Sequence, residues 1–142
     1  MPAFDEEARL PVALARMREY YGEQPYDWEI LVVSDGSTDG TNAFVDAVAA
    51  EEPRVRLLAY SPNRGKGNAV RTGMLAADGD LLLFCDADGA TPQEETAKLL
   101  AAIEAGADVA IGSRPLKESA LEIRQPWYRE FAGRAFNKAV QT

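Results

Sequence analysis

The chain reads as an α/β protein built on a mostly parallel, twisted sheet flanked by helices. Three observations predict it. Short apolar runs rich in β-branched residues alternate with segments of about ten to fifteen residues whose apolar positions recur three and four apart, the pattern of right-handed βαβ units. The apolar runs are nearly continuous rather than alternating, as expected of strands covered on both faces. Each cluster of chemically capable polar residues follows one of these runs, and successive strands of a parallel sheet present their carboxyl ends on one rim, where ligands bind in open α/β sheets.

Taken in order, residues 1–7 form a short loop entering a helix that carries Leu10, Leu14 and Met17 towards Tyr20 and Tyr21, with Pro11 in its first turn, where a missing N–H costs nothing. The run from Trp28 to Val33 is the first strand. It ends in the turn-rich segment from Ser34 to Thr41, which offers several N-cap residues to a helix over 42–51 bearing Phe44, Val45 and Val48. A second strand spans 54–60. The loop 61–67 leads into a helix with Val70, Met74 and Leu75 that ends by Gly79. Leu81 to Cys85 follows, five apolar residues that predict a strand buried on both faces. Pro92 opens a helix to Ala105, Asp108–Arg114 is a fourth strand with a polar exit, 115–124 is loop, and Trp127–Val140 a final helix. No repeat or linker interrupts the pattern, so a single domain over residues 1–142 is expected.

Composition narrows the chemistry. The chain has 46% apolar and 27% charged residues and a net charge of −8. It therefore lacks the basic footprint of a nucleic-acid-binding protein. It contains no histidine, which removes serine–histidine triads, cysteine–histidine pairs and histidine-ligated zinc together. Catalysis must use carboxylates, Lys or Arg, a metal, or the substrate's own groups. The single cysteine, Cys85, lies among apolar neighbours and reads as a core thiol. No apolar run approaches the ~20 residues of a membrane span, and no signal peptide is recognisable. A cytoplasmic protein, peripheral at the cytoplasmic membrane face, is expected.

The chemistry is expected where the Leu81–Cys85 run ends in Asp86-Ala87-Asp88-Gly89. Side chains two apart on a strand point the same way, so two hard oxygen ligands converge, leaving room for water and phosphate oxygens around Mg²⁺ or Mn²⁺. The plainer reading is an Asx turn closing the strand. Asn63-Arg64-Gly65-Lys66-Gly67 places glycines, Arg64 and Lys66 at a helix N-terminus, a site suited to anions; an ordinary solvated basic loop would look the same. It is not a P-loop, because Tyr60 and Gly67 stand where glycine and Ser/Thr are required, and Val70 spoils a dinucleotide fingerprint. The Asp-x-Asp-Gly run also resembles the aspartate-nucleophile phosphatases of the haloacid dehalogenase type, but the paired aspartates that family carries downstream are missing.

Together these motifs resemble a family 2 glycosyltransferase of the GT-A fold, with its Rossmann-like nucleotide-sugar-binding architecture, and match best the dolichyl-phosphate glucosyltransferase branch. Pro2-Ala3-Phe4-Asp5-Glu6-Glu7 is similar to the family's Pro-Ala-Tyr-Asn-Glu-Glu opening, and Val33-Ser34-Asp35-Gly36-Ser37 to its Val-Asp-Asp-Gly-Ser turn. Asn63–Gly67, Asp86-Ala87-Asp88-Gly89-Ala90-Thr91 and Gly112-Ser113-Arg114 follow in family order. The resemblance covers nearly the whole chain.

The resemblance implies inverting transfer of glucose from UDP-glucose to a polyprenyl or dolichyl phosphate, assisted by Mg²⁺ or Mn²⁺. It implies that Pro2, Ala3, Phe4 and Glu6 line the nucleobase and ribose pocket and that Asp35 hydrogen-bonds the base, uracil. Lys66 would lie on the donor side, Asp86 would contact donor and metal, and Asp88 would ligate the metal against the diphosphate. Arg114, with Arg129, would meet the acceptor phosphate. Trp127-Tyr128 beside Arg124 and Arg129 would form either an interfacial anchor or a helix packed on the sheet. The chain departs from the family in three ways. Ser34 replaces the first aspartate of the usual pair, the apolar strand that normally precedes Pro-Ala is absent, and the acceptor-side half is not included. A partial enzyme is therefore expected, and a donor-binding fragment without turnover is the companion expectation.

Overall fold

The computed structural model describes residues 1–112. The chain divides into two compact units, Met1–Leu100 and Ala101–Thr142. In the first, β1 (Pro2–Ala3), β2 (Ile30–Asp35) and β3 (Val55–Tyr60) form a three-stranded, all-parallel sheet in the order β1–β2–β3. The helices are α1 (Leu10–Gly22), α2 (Thr41–Glu51), α3 (Lys66–Ala76) and α4 (Glu95–Glu104), the last continuing into the second unit. The architecture is the expected α/β one.

Every residue of β2 is buried, and its alternation sorts the helices. Ile30 and Val32 pack with Leu10, Leu14 and Met17 of α1, Val45 of α2 and Val55. Leu31 and Val33 face the other way, with Ala69 of α3, Leu58 and Ala76. Consecutive strand residues point to opposite faces, so a continuously apolar strand must be covered on both, and it is. At Gly73 the helix comes so close that an added Cβ would lie 3.0 Å from Val33 Cγ2. The register sets Ala3 opposite Ser34 and Asp35 opposite Tyr60, so the strand ends carrying polar residues align at one rim.

Four elements depart from expectation. Pro2–Ala3, read as loop, is a strand paired with Val33–Ser34. The helix expected from Pro92 begins at Glu95, after a turn in which the Pro92 carbonyl accepts the Glu95 N–H at 3.2 Å.

The largest departure is Leu81–Cys85, which is not a strand among the described residues. Leu81, Leu82, Leu83 and Phe84 are 59%, 46%, 42% and 42% exposed, where burial on both faces was expected. An apolar run becomes a buried strand only if a neighbour supplies hydrogen-bond partners for its backbone. β1 is two residues long and begins with proline, which has no N–H to donate, so it cannot template a further strand. Cys85 and Ala87 nevertheless pack into the core beside Ala3.

In the second unit, the described residues 101–112 carry the end of α4. It is closed by Gly106 at φ 103°, with the Gly106 N–H bonded to the Ile103 carbonyl and the Ala107 N–H to that of Ala102, a Schellman cap. The fourth strand expected over Asp108–Arg114 is not formed in its described part. Val109 and Ile111 are 76% and 80% exposed, and no ladder partner satisfies their backbone among the described residues. Ser113, Arg114, the expected loop 115–124 and the final helix, with Arg124, Trp127, Tyr128 and Arg129, lie outside the described residues.

Candidate functional site

A cavity of about 430 Å³ opens where β1, β2 and the start of α3 end or begin. Pro2, Ala3, Phe4 and Glu6 form one wall, Asp35 and Lys66 another, and Asp86 and Asp88 a third. All eight residues singled out from sequence as donor- or metal-side candidates within the described region therefore border the same space. Arg114 and Arg129 lie outside the described residues. Arg9 and Asn63 also line the cavity and were not singled out. For Arg9 a signal existed: it stands three residues after Glu6 at the entry to α1, the spacing of an ion pair on one helical turn.

Local hydrogen bonding explains the shape of this rim. Asp5 adopts a left-handed backbone (φ 50°), uncommon outside glycine and tolerated best by Asp and Asn. There its carboxylate accepts the Thr38 N–H at 2.7 Å and the Asp39 N–H at 3.4 Å. The Glu6 N–H donates to Thr41 Oγ1 at 2.9 Å, the Glu7 N–H to Asp39 Oδ2 at 3.1 Å, and the Gly40 N–H to Glu7 Oε2 at 3.0 Å. Asp39 in turn accepts the Thr41 hydroxyl and N–H, and the hydroxyl bond holds its carboxyl below the usual range. The segments 5–7 and 37–41 are thus laced together, which fixes Phe4 and Glu6 beside the end of β2. Ser34 is fully buried, and its hydroxyl donates to Ser37 Oγ at 2.9 Å.

The next wall rests on Gly36 and Gly65. Gly36 has φ 76°, and an added Cβ would lie 2.6 Å from the Asn63 amide nitrogen. This close approach lets buried Asp35 accept the Arg64 N–H at 2.7 Å. Asn63 Oδ1 accepts the Gly65 N–H at 3.0 Å, and Gly65 (φ 89°) turns the chain into α3. Lys66, the first residue of that helix, reaches Asp86 Oδ1 at 2.7 Å and lies 5.5 Å above the Phe84 ring. Arg64, the other cation expected in the anion site, turns instead over the Tyr60 ring at 5.3 Å. Asp88 Oδ1 accepts the Ala90 N–H at 2.9 Å next to Gly89 at φ 64°. The Asx turn is formed, and it still leaves Asp88 bordering the cavity.

Electrostatics restrict what this cavity can hold. Glu6, Asp35, Asp86 and Asp88 oppose only Arg9 and Lys66, a formal balance of −2. Arg9 is engaged by both Glu6 oxygens at 2.7 Å, and Lys66 by Asp86. This field disfavours an anionic ligand by itself and favours one that arrives with a cation. Among the described residues no three carboxylate or thiol groups cluster as a metal cage. Mg²⁺ and Mn²⁺ are commonly bound by one or two carboxylates, with phosphate oxygens and water completing the shell, and Asp86 and Asp88 fit that donor set. Cys85 is half-buried against the core, and burial pushes its thiol above the usual range, consistent with the expected inert core thiol.

Among the described residues no helix is long and apolar enough to cross a membrane. Residues 1–140 match the model of the family described as glycosyl transferase family 2. The chain is 35% identical over 150 residues to a dolichyl-phosphate beta-glucosyltransferase of Trichomonas vaginalis, covering 99% of this chain and 44% of that protein. It is 37% identical over 153 residues to the dolichyl-phosphate beta-glucosyltransferase of Drosophila melanogaster (99% and 47%). It is 35% identical over 114 residues to the bactoprenol glucosyl transferase of Shigella phage SfV (80% and 37%). The chain spans less than half the length of these relatives.

Proposed function

Because the chain belongs to glycosyl transferase family 2, we propose that the cavity is the donor site of a sugar transferase. In this reading a hexose, glucose, passes from a UDP-sugar to a polyprenyl phosphate at the cytoplasmic membrane face. The observation that carries it is the convergence of Phe4, Glu6, Asp35, Lys66, Asp86 and Asp88 on one space. The glucosyltransferase names of the relatives support the sugar and the lipid-phosphate acceptor.

Each residue then has a task suited to its chemistry. Phe4, 48% exposed on the cavity wall, offers a face on which a base can stack. Glu6, its carboxylate oriented by Arg9, accepts ribose hydroxyls. Asp35, held by the Arg64 N–H, accepts from the base. Asp86 and Asp88 would hold Mg²⁺ or Mn²⁺ against the diphosphate. The ion, when bound, would supply charge stabilisation to the departing diphosphate.

The absence of histidine fits this reaction. A phosphate monoester is already mostly dianionic near neutral pH, its second pKa being about 6, so the acceptor needs no general base. Its oxygen forms the new bond to the anomeric carbon while the bond to the UDP oxygen breaks, and UDP leaves with the electron pair. Attack from the face opposite the leaving group inverts the anomeric centre. What the protein must supply is orientation and charge, and Arg114 with Arg129 are proposed to position the acceptor phosphate.

Titration with UDP-glucose, with and without Mn²⁺, tests the donor site. Binding strengthened by Mn²⁺ and weakened by Asp88→Asn is expected; Mn²⁺-dependent binding that survives the substitution unchanged would overturn the role of Asp88. A transfer assay with a short polyprenyl phosphate in detergent tests the reaction. Donor binding without transfer would mark this chain as a donor-binding fragment, and phosphoester hydrolysis abolished by Asp86→Asn would favour the phosphatase chemistry instead.

A further inference from the structure

We propose that Lys66 is an exchangeable counter-ion: it neutralises Asp86 in the ligand-free protein, then releases that carboxylate to a divalent cation and takes a phosphate oxygen of the incoming nucleoside diphosphate. The inference rests on the donor-site reading above. Lys66 Nζ lies 2.7 Å from Asp86 Oδ1, so a cation already occupies part of the carboxylate pair that would hold the metal. Both side chains are well exposed, at 60% and 50%, and an ion pair in that setting contributes little and is readily exchanged. Lys66 and Asp86 line the same cavity, as does Asp88, so the ammonium group needs only a side-chain rotation to trade one oxygen for another.

The position of Lys66 favours the exchange. As the first residue of α3 it stands among backbone N–H groups left free by the helix, so an anion meets the ammonium and those donors together. The nearby Phe84 ring, 5.5 Å from Nζ, gives the cation a resting place that does not depend on Asp86 alone. The net negative balance of the cavity makes the arrangement useful. Without Lys66 the ligand-free site would present Asp86 and Asp88 uncompensated, and without its release the metal would find one carboxylate half-occupied.

Calorimetric titration of the full chain with Mn²⁺ alone, and with UDP in the presence of a chelator, separates the two halves. Lys66→Met should bind Mn²⁺ alone about two- to five-fold more tightly, since an exposed pair of this kind competes only modestly, and should bind metal-free UDP several-fold more weakly. Lys66→Arg, which keeps the charge, should restore UDP binding. An affinity for Mn²⁺ that Lys66→Met leaves unchanged or lowers overturns the exchange, as does metal-free UDP binding that the substitution does not weaken. A loss of UDP binding in Lys66→Arg as large as in Lys66→Met also overturns a role based on charge. If the unaltered protein binds no UDP with or without Mn²⁺, the donor reading fails and takes the second half of the exchange with it, while the Mn²⁺ titration still decides the first.

Discussion

The Arg64 N–H donates to the buried Asp35 carboxylate at 2.7 Å, tying the end of β2 to the loop that opens α3. A carboxylate placed at a strand end by sequence thereby becomes a structural joint as well as a candidate ligand-binding group. Replacing Asp35 with Ala leaves a backbone donor without its partner and should cost about 1–3 kcal/mol, read as a lower urea midpoint. UDP binding should weaken beyond what Gly65→Ala, a change in the loop that Asp35 holds, produces. Equal losses in the two variants would reduce Asp35 to a structural role.

Gly36 and Gly65 both have positive φ but differ in surroundings. At Gly36 an added Cβ meets the Asn63 backbone at 2.6 Å, whereas at Gly65 nothing lies within 4 Å. Gly65→Ala should therefore cost about 1–3 kcal/mol of backbone strain, since φ 89° with ψ 154° is a conformation essentially confined to glycine, and Gly36→Ala more, because backbone atoms must move as well. Chemical denaturation of the two variants checks the order.

Asp5 holds the loop 37–41 through the Thr38 and Asp39 amides. Asp5→Ala should destabilise the protein by about 1–2 kcal/mol, since it loses the acceptor and keeps the unfavourable φ. Asp5→Asn, which tolerates that φ and keeps an oxygen acceptor, should recover most of the loss. Thermal unfolding distinguishes them, and the UDP affinity should follow the same order because Phe4 and Glu6 flank Asp5.

On the acid side, the Arg54 guanidinium beside Glu52 lowers its carboxyl from 4.5 to about 2. A carboxyl depressed in the folded state stabilises it above the unfolded pKa and loses that contribution as pH falls through the folded one. Unfolding midpoints of the unaltered protein should therefore fall more steeply between pH 4.5 and 2 than those of Glu52→Gln. The Arg54 side chain is half exposed, so added salt should shrink the difference.

At the opposite end of the sheet, Arg56 bridges Glu29 and Asp78 at 2.7 Å each, and the Asp78 N–H donates to Glu29 at 2.7 Å. Arg56→Met should lower stability by about 0.5–1 kcal/mol, the scale of a half-exposed pair, while leaving UDP affinity unchanged. A changed affinity would show that the two sheet ends are coupled.

Much of this molecule was legible in its residues. The alternation of apolar runs and amphipathic segments foretold β2, β3 and the four helices, because a strand lined with Ile30, Leu31, Val32 and Val33 has no stable place except between two helical layers. Asp35 and Lys66 meet because parallel strands deliver their carboxyl ends to one rim; Glu6 was implied by the family resemblance, and Asp86 and Asp88 border the same cavity although no strand precedes them. The spacing of Arg9 from Glu6 was readable as an ion pair, but only the folded chain shows its guanidinium on both Glu6 oxygens at the cavity wall.

Sequence by itself determined the fold class, the family and eight of the residues that line the cavity. Tertiary structure decided whether Leu81–Phe84 is a strand, how Asp86 is neutralised and what holds Asp35. Apolarity is a property of a residue, whereas strand pairing requires a neighbouring backbone, which the two-residue β1 does not offer to that run. The Lys66–Asp86 and Arg64–Asp35 contacts likewise join residues twenty or more positions apart, and only the folded path of the chain brings them together.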